Sequence, residues 1–169
     1  MTARKVQIGI RTLKEYLSEV SIKTVGLARL SDMNPQHLSK ALCGTPDNRN
    51  GRPSTLSRDA IRQLEFGLEL LSSTLQDIFI AYDPDQEVCK QGGRCYCPSC
   101  VNQIKQKLSP YILVTPFMEY ALGWSRSKVR NVMDINTSAS YGNITRADCD
   151  RINITLAEVA ARLSMFTFY

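Results

Sequence analysis

Cysteine thiols are the side chains whose spacing in this sequence points most directly to a chemistry. Four of the six cysteines lie within residues 89–100, in the pattern C-x5-C-x-C-x2-C, and Gly92-Gly93 supplies a bend after the first of them. In a reducing compartment, clustered thiolates bind Zn²⁺ with tetrahedral geometry. The sequence therefore predicts a zinc site whose ligands are Cys89, Cys95, Cys97 and Cys100.

Two alternatives stay open for these four cysteines, namely disulfides formed on oxidation and free thiols. Only one C-x2-C pair is present, whereas structural zinc sites usually have two. A thioredoxin-like redox role is disfavoured because no strand–helix–strand pattern surrounds Cys97-Pro98-Ser99-Cys100. Cys43 and Cys149 fall at apolar helix positions, so we expect both in the core.

Groups that could perform acid–base or nucleophilic catalysis are scarce. His37 is the one histidine of the chain, and no carboxylate stands near it at a spacing that would make a catalytic pair. Such catalysis requires partner groups within hydrogen-bond reach of each other. We therefore expect a protein that is not an enzyme and that has no small-molecule substrate.

Basic residues are concentrated in the first part of the chain. The net charge is +5, and residues 1–56 alone hold nine Lys or Arg against four Asp or Glu. Residues 57–83 are acidic, with two basic and five acidic side chains. A basic region of this kind can attract a polyanion, although the total charge is ordinary for a globular domain.

The elements that must position these groups occur twice. Residues 57–75 and 145–163 align at a shift of 88 positions, and each segment begins with Ser or Thr followed by Arg. A fixed-period repeat indicates two copies of one structural unit. The shift superimposes Ile61 on Cys149, Leu64 on Ile152, Leu68 on Leu156, Leu71 on Val159 and Leu75 on Leu163.

Apolar spacing predicts four helices in the first unit, over residues 12–20, 24–31, 35–42 and 57–81. Asn34 is a good N-cap for the third helix, with Pro35 at its first position, and Gly44 is a C-cap. Ser57 caps the fourth helix after a polar loop. No run of alternating residues predicts a sheet, so the expected fold class is all-α.

Residues 24–44, TVGLARLSDMNPQHLSKALCG, resemble the helix-turn-helix of the lambda-repressor/Cro-type DNA-binding regulators. The matching positions are Leu27-Ala28, Met33, Asn34, Leu38 and Gly44, and the resemblance covers residues 12–75. Asp32 departs from the glycine usual at the turn, but Asp enters the left-handed region at modest cost. The resemblance implies a sequence-specific duplex-DNA-binding protein, a transcriptional regulator of bacterial, plasmid or phage origin.

Residues 112–133 repeat this plan less clearly, at a shift of 91. Thr115 is expected to cap a helix that has Pro116 at its first position, Gly123 stands at the turn, and Ser125 caps a helix over 126–133. Glu119 occupies the position where the family usually has a small residue. The second unit could therefore be a degenerate copy that serves packing or dimerisation.

The resemblance places the third helix of each unit in the major groove, where polar side chains contact bases and basic ones contact phosphates. The expected DNA-contacting residues are Asn34, Gln36, His37, Lys40, Arg49, Arg52, Ser125, Arg126, Ser127, Lys128, Arg130 and Asn131.

The predicted organisation is two tandem helix-turn-helix bundles, at 1–82 and 111–169, joined by a cysteine-rich linker at 83–110. The expected partner is duplex DNA, and a homodimer through the long fourth helices is a further option. Neither a membrane span nor a secretion signal is evident, so we expect the protein in the cytoplasm. The alternative is a helical protein-interaction adaptor, such as a phage or mobile-element factor that binds a host protein.

Overall fold

The computed structural model describes residues 4–44, 56–89, 91–93, 95–133 and 144–168. These residues are mainly helical, which confirms the helical part of the predicted fold class, and none of their helices is both long and apolar enough to cross a membrane. The helices are α1 Ile10–Glu19, α2 Thr24–Leu30, α3 Pro35–Cys43, α4 Arg58–Asp77, α5 Ser99–Leu108, α6 Val114–Pro116, α7 Arg126–Met133 and α8 Arg146–Leu163.

Two small sheets accompany the helices. Strands β1 (Val6–Ile8) and β4 (Phe166–Phe168) pair in parallel, so that the two ends of the described chain lie side by side. Strands β2 (Val88–Cys89) and β3 (Cys95–Tyr96) form an antiparallel hairpin. The sequence predicted no sheet, because strands of two or three residues are too short to show an alternating pattern.

Both ends of α3 and the start of α4 follow from local interactions, as the sequence predicted. The Asn34 side chain accepts hydrogen bonds from two backbone N–H groups, and Pro35 occupies the first turn of α3. Gly44 ends α3 in the left-handed conformation, with φ of 63°. The Ser57 hydroxyl accepts a hydrogen bond from the Ala60 N–H at the start of α4. Asp32 takes a φ of 53°, which allows the tight turn between α2 and α3.

Helices α4 and α8 form the centre of the core, and they run antiparallel. The apolar positions that the repeat superimposes are fully or almost fully buried from Leu64 to Leu75 and from Cys149 to Leu163, while Ile61 is partly buried. The Ser72 hydroxyl donates a hydrogen bond to the Ala160 carbonyl where the two helices cross. The repeated pattern therefore marks the surfaces that the two helices bury against each other and against their neighbours.

Helix α4 ends at Asp77, four residues earlier than predicted. The Asn153 side chain of α8 accepts a hydrogen bond from the Ile80 N–H at 2.8 Å and donates one to the Ile80 carbonyl at 3.0 Å. Ile80 is fully buried in this extended conformation. A partner on another helix therefore satisfies backbone groups that helix propagation would otherwise have used.

A π-helical turn at Phe117–Ala121 follows α6 and distinguishes the second set of helices from the first. The Met33 N–H donates to the Ala28 carbonyl, whereas the Trp124 N–H reaches one residue further back, to the Met118 carbonyl. The turn thus contains one additional residue.

This additional residue changes two expectations. Buried Met118 takes the place of buried Ala28, so the prediction that Glu119 stands at that close-packed position was wrong. Helix α6 begins after Leu113 rather than after Thr115, since the chain enters it from the Ile112 bridge.

One continuous apolar cluster includes residues from both sets of helices and from the predicted linker. Within residues 83–110, Ile104 and Leu108 of α5 are fully buried. Cys149 lies in the core as expected. Cys43 is exposed, contrary to the prediction, because it is the last residue of α3 and lies beyond the buried side of that helix.

Candidate nucleic-acid interface and cysteine sites

Helix α3 has one buried side and one side open to solvent. Leu38, Ala41 and Leu42 are buried, and they pack this helix onto the body of the protein. Gln36, His37 and Lys40, which the sequence predicted as DNA contacts, are all exposed on the outer side. The outer side of α3 is therefore free to present amide, imidazole and ammonium groups to a partner.

Asn34 serves the structure of α3 as well as its surface. Its Oδ1 accepts hydrogen bonds from the Gln36 N–H at 2.9 Å and from the His37 N–H at 3.3 Å. These bonds use the acceptor of the side chain and leave its Nδ2 group as the donor available to a ligand. The residue therefore caps α3 and at the same time exposes an amide donor beside Gln36 and His37.

Helix α7 is arranged in the same way, and its boundaries match the prediction. Val129 and Val132 are buried. The Ser125 hydroxyl accepts a hydrogen bond from the Lys128 N–H at 3.2 Å, so that Ser125 caps the helix as predicted. The predicted contact residues on the exposed side are Arg126, Ser127, Arg130 and Asn131.

Lys128 differs from its neighbours because its ammonium group has protein partners. Its Nζ lies 2.7 Å from Asp148 Oδ1 and 4.2 Å from the centroid of the Trp124 ring. Asp148 also accepts a hydrogen bond from the Thr145 N–H, in a capping box at the start of α8. Lys128 therefore connects α7 to α8, a role that the sequence analysis did not foresee because Asp148 is twenty positions away.

Arg126 and Arg130 remain the basic groups of α7 that are free for a partner. Arg126 Nε lies 3.9 Å from Glu119 Oε2, and with the Arg126 side chain 88% exposed this contact is weak. Arg130 is exposed as well. Arg49 and Arg52, the two loop residues predicted to contact phosphates, lie outside the described residues.

The four predicted zinc ligands occupy two separate places. Cys89 and Cys95 are joined by a disulfide, with an S–S distance of 2.02 Å, which closes the β2–β3 hairpin. Cys97 and Cys100 lie in the core instead. Among the described residues, the side chains grouped closely enough to share a metal ion are Glu87, Cys89 and Cys95, whose ligand atoms lie within 4.8 Å of one another. The predicted four-cysteine site is therefore not formed.

The second place is a buried contact between the start of α5 and the start of α8. Cys100 Sγ lies 3.4 Å from Cys149 Sγ, and burial raises the pKa of both thiols. For Cys97, burial raises the pKa, but hydrogen bonds from the Ser99 hydroxyl and the Asp83 N–H outweigh it and hold the pKa below its usual value. Sequence spacing identified Cys97 and Cys100 as neighbours. It could not show that Cys149 lies beside Cys100, because the two are 49 positions apart.

The chain matches no protein-family model, no curated protein and no solved structure.

Proposed function

We propose that the chain is built of two helix-turn-helix units and binds duplex DNA through the outer sides of α3 and α7. The observation that supports this proposal best is the exposed row of Gln36, His37 and Lys40 on a helix whose other side is buried. A helix fits the major groove when its inner side is anchored and its outer side carries hydrogen-bonding groups. Gln pairs with adenine, and Lys donates to guanine or to phosphate.

Helix α7 would contribute more positive charge to the DNA contact than helix α3. Arg126 and Arg130 are exposed on α7, and arginine is the commonest specific partner of guanine. Lys128 is omitted from this set because Asp148 already neutralises it. The proposed contact residues with described positions are Asn34, Gln36, His37, Lys40, Ser125, Arg126, Ser127, Arg130 and Asn131.

Selection of bound sequences from a random duplex pool tests the proposal directly. The selected duplex is then titrated with protein by fluorescence anisotropy at increasing salt. Counterion release predicts that the logarithm of the association constant falls linearly with the logarithm of the salt concentration. Selection of no sequence, together with salt-independent or undetectable binding, would contradict the proposal.

Lys40→Ala and Gln36→Ala identify the binding side of α3. Each should weaken binding to the selected duplex by about 1–3 kcal/mol, and binding to a random duplex less, if the residue contacts a base. Arg151→Ala is the matched control, because it removes an exposed positive charge from α8. An equal loss for Lys40→Ala and Arg151→Ala would show that only total charge matters.

A protein-interaction adaptor is the second candidate. Three large apolar side chains are exposed on α4, on α8 and just after α4, namely Phe66 at 60%, Ile154 at 57% and Phe79 at 62%. Exposed apolar groups of this size are typical of surfaces that contact other proteins. The salt series separates the two candidates. The affinity for DNA falls steeply with rising salt because counterions are released from the contacted phosphates, whereas an apolar contact with a protein has no such dependence.

Zinc belongs to the proposal only at Glu87, Cys89 and Cys95. Reduction of the disulfide would release two thiolates beside a carboxylate, a donor set that Zn²⁺ accepts. Metal analysis after purification under reducing conditions should then find zinc in the unmodified chain and in Cys43→Ser, and none in Cys89→Ser. Equal zinc content in Cys43→Ser and Cys89→Ser would exclude this site.

A further inference from the structure

Two contacts in the fold join residues that occupy equivalent positions in the two sets of helices, and one pair of hydrogen bonds relates the two sets reciprocally. Because the π-helical turn adds one residue, the shift before it is 90, as between Ala28 and Met118, and Ile22 is equivalent to Ile112. Ile22 forms a backbone bridge with Ile112, at the entrances to α2 and α6. On the two sides of this bridge, the Lys23 N–H donates to the Tyr111 carbonyl and the Leu113 N–H donates to the Ser21 carbonyl, each at 2.8 Å. The two hydrogen bonds are equivalent, so the pattern stays the same when the two segments are exchanged.

The second contact lies between the long helices. Ser72 donates its hydroxyl hydrogen bond to the Ala160 carbonyl, and the two residues are separated by 88 positions, which is the repeat shift itself. A residue that touches its own repeat equivalent lies on or near an axis that exchanges the two copies. The Ile22–Ile112 bridge and the Ser72–Ala160 contact therefore provide two points on such an axis.

The third observation is a pair of reciprocal hydrogen bonds. The Ile80 N–H donates to Asn153 Oδ1 at 2.8 Å, and the Phe168 N–H donates to Glu65 Oε1 at 2.9 Å. Ile80 and Phe168 are repeat equivalents at the 88-position shift, and so are Glu65 and Asn153. The contact between Ile80 and Asn153 is therefore repeated between their equivalents, Phe168 and Glu65. An interface in which each contact recurs with the two sides exchanged is isologous, as in a two-fold dimer.

These contacts give the chain an internal approximate two-fold axis rather than a head-to-tail arrangement of its two sets. A two-fold rotation leaves positions along its axis unchanged. Helices α3 and α7 therefore lie at the same height along the axis, and their outer sides are related by the rotation. Duplex DNA has two-fold axes perpendicular to its length, and proteins related by a two-fold axis therefore bind half-sites in inverted orientation.

We propose that one chain binds one duplex site made of two inverted half-sites of different sequence, one contacted by α3 and the other by α7. This inference rests on the proposed function. The half-sites differ because the exposed groups on α3 are Gln36, His37 and Lys40, while those on α7 include Arg126, Arg130 and Asn131. The internal axis relates the two DNA-contacting helices as a homodimer axis would, so a second chain is not needed.

The orientation of the half-sites in duplexes recovered from the random pool tests this inference. We expect two inverted elements of unequal sequence and one chain per duplex, measured by sedimentation of the complex. Direct repeats, a single element or two chains per duplex would overturn the inference and leave DNA binding itself standing. Recovery of no duplex would overturn both.

Two variants and one altered duplex sharpen the test. Lys40→Ala should relax the base preference in one element only, and Arg130→Ala in the other, with Arg151→Ala relaxing neither. Reversing one element of the selected site, with its bases and spacing kept, should weaken binding at least tenfold. Unchanged affinity for the reversed duplex, or loss of preference in the same element for both variants, would contradict the inverted arrangement.

Discussion

At the scale of single residues, the closest approach in the first set of helices depends on a glycine. A Cβ atom at Gly67 would lie 2.7 Å from Cβ and 2.9 Å from Cα of Ser31, and closer still to its hydroxyl. Ser31 is buried, and its hydroxyl has no hydrogen-bond partner among the described residues. The absence of a side chain at Gly67 is what lets the end of α2 rest directly on α4.

Gly67→Ala should therefore destabilise the protein by more than about 2 kcal/mol, through overpacking against α2. Without this clash, alanine in place of glycine inside a helix would stabilise it by roughly 0.5–1 kcal/mol. Denaturant unfolding measures the change. Gly9→Ala, at the N-cap of α1 with nothing within 4 Å, should change stability only through the weaker cap, without overpacking. Ser31→Ala should be neutral or stabilising, since it removes an unpaired buried hydroxyl. A stabilising Gly67→Ala would contradict this packing.

Tyr16 gives the folded state a dependence on alkaline pH. Burial raises its pKa to about 12, against the opposing charge of Arg162, whose guanidinium lies 5.2 Å from the centre of the ring. In the unfolded chain the pKa is about 10. The folded state thus retains a proton that the unfolded state releases, so this contribution to stability is complete below about pH 10 and is lost as the pH rises towards 12.

Tyr16→Phe should make the free energy of unfolding decline less steeply between about pH 10 and 12 than in the unmodified protein. Urea unfolding at a series of pH values measures the difference. Tyr120→Phe, at a tyrosine that is 70% exposed, should leave the decline unchanged. Parallel curves for the unmodified protein and Tyr16→Phe would show that Tyr16 ionises alike in both states.

At the scale of elements, the end of α4 is decided by α8. Ser57 begins α4 by a local cap, but nothing local requires the helix to stop at Asp77. Asn153 supplies both a donor and an acceptor to Ile80 and holds the chain extended there. The equivalent position after α8 is held by Glu65, whose carboxylate accepts from the Phe168 N–H. Each long helix thus fixes the exit of the other.

Asn153→Ala should lower the free energy of unfolding by about 1–3 kcal/mol, because it leaves a partly buried N–H and carbonyl without partners. Asn102→Ala, at an exposed position of α5, is the matched control. Denaturant unfolding of the two variants gives the comparison. Equal stability for both would mean that water replaces the Asn153 side chain at no cost.

At the scale of the whole molecule, the two sets of helices share one core. The buried cluster extends from Ile8 to Phe168 and includes residues of every α-helix. Strands β1 and β4 add a pairing between the two ends of the described chain. Such a continuous interior favours a single cooperative unfolding transition, as is usual for domains of this size.

Trp124, the single tryptophan, allows this cooperativity to be measured. It belongs to the second set, so its fluorescence reports there, while circular dichroism reports all helices. Leu68→Ala, in the first set, should cost about 2–5 kcal/mol and shift both signals by the same amount. Val25→Ala, at an exposed position, should shift neither by a comparable amount. A fluorescence transition that stays in place under Leu68→Ala would show that the two sets unfold independently.

The elements that could be predicted from the sequence are those with local causes. Asn34 and Ser57 begin helices by accepting nearby N–H groups, Gly44 ends one by adopting a positive φ, and the repeated apolar stripe marks the sides of α4 and α8 that are buried. Each of these depends on residues within a few positions of one another, so spacing along the chain carries the information.

Features that depend on partners distant in the sequence could be seen only once the chain was folded. In the folded chain Cys100 contacts Cys149 rather than Cys89, and Lys128 forms an ion pair with Asp148. Helix α4 ends where Asn153 binds the backbone of Ile80. The fold also places an isologous contact between the two copies, where the repeat alone was equally compatible with a head-to-tail array. A repeat in sequence fixes what each copy looks like, but the rotation that relates the copies is set by which surfaces they bury against each other.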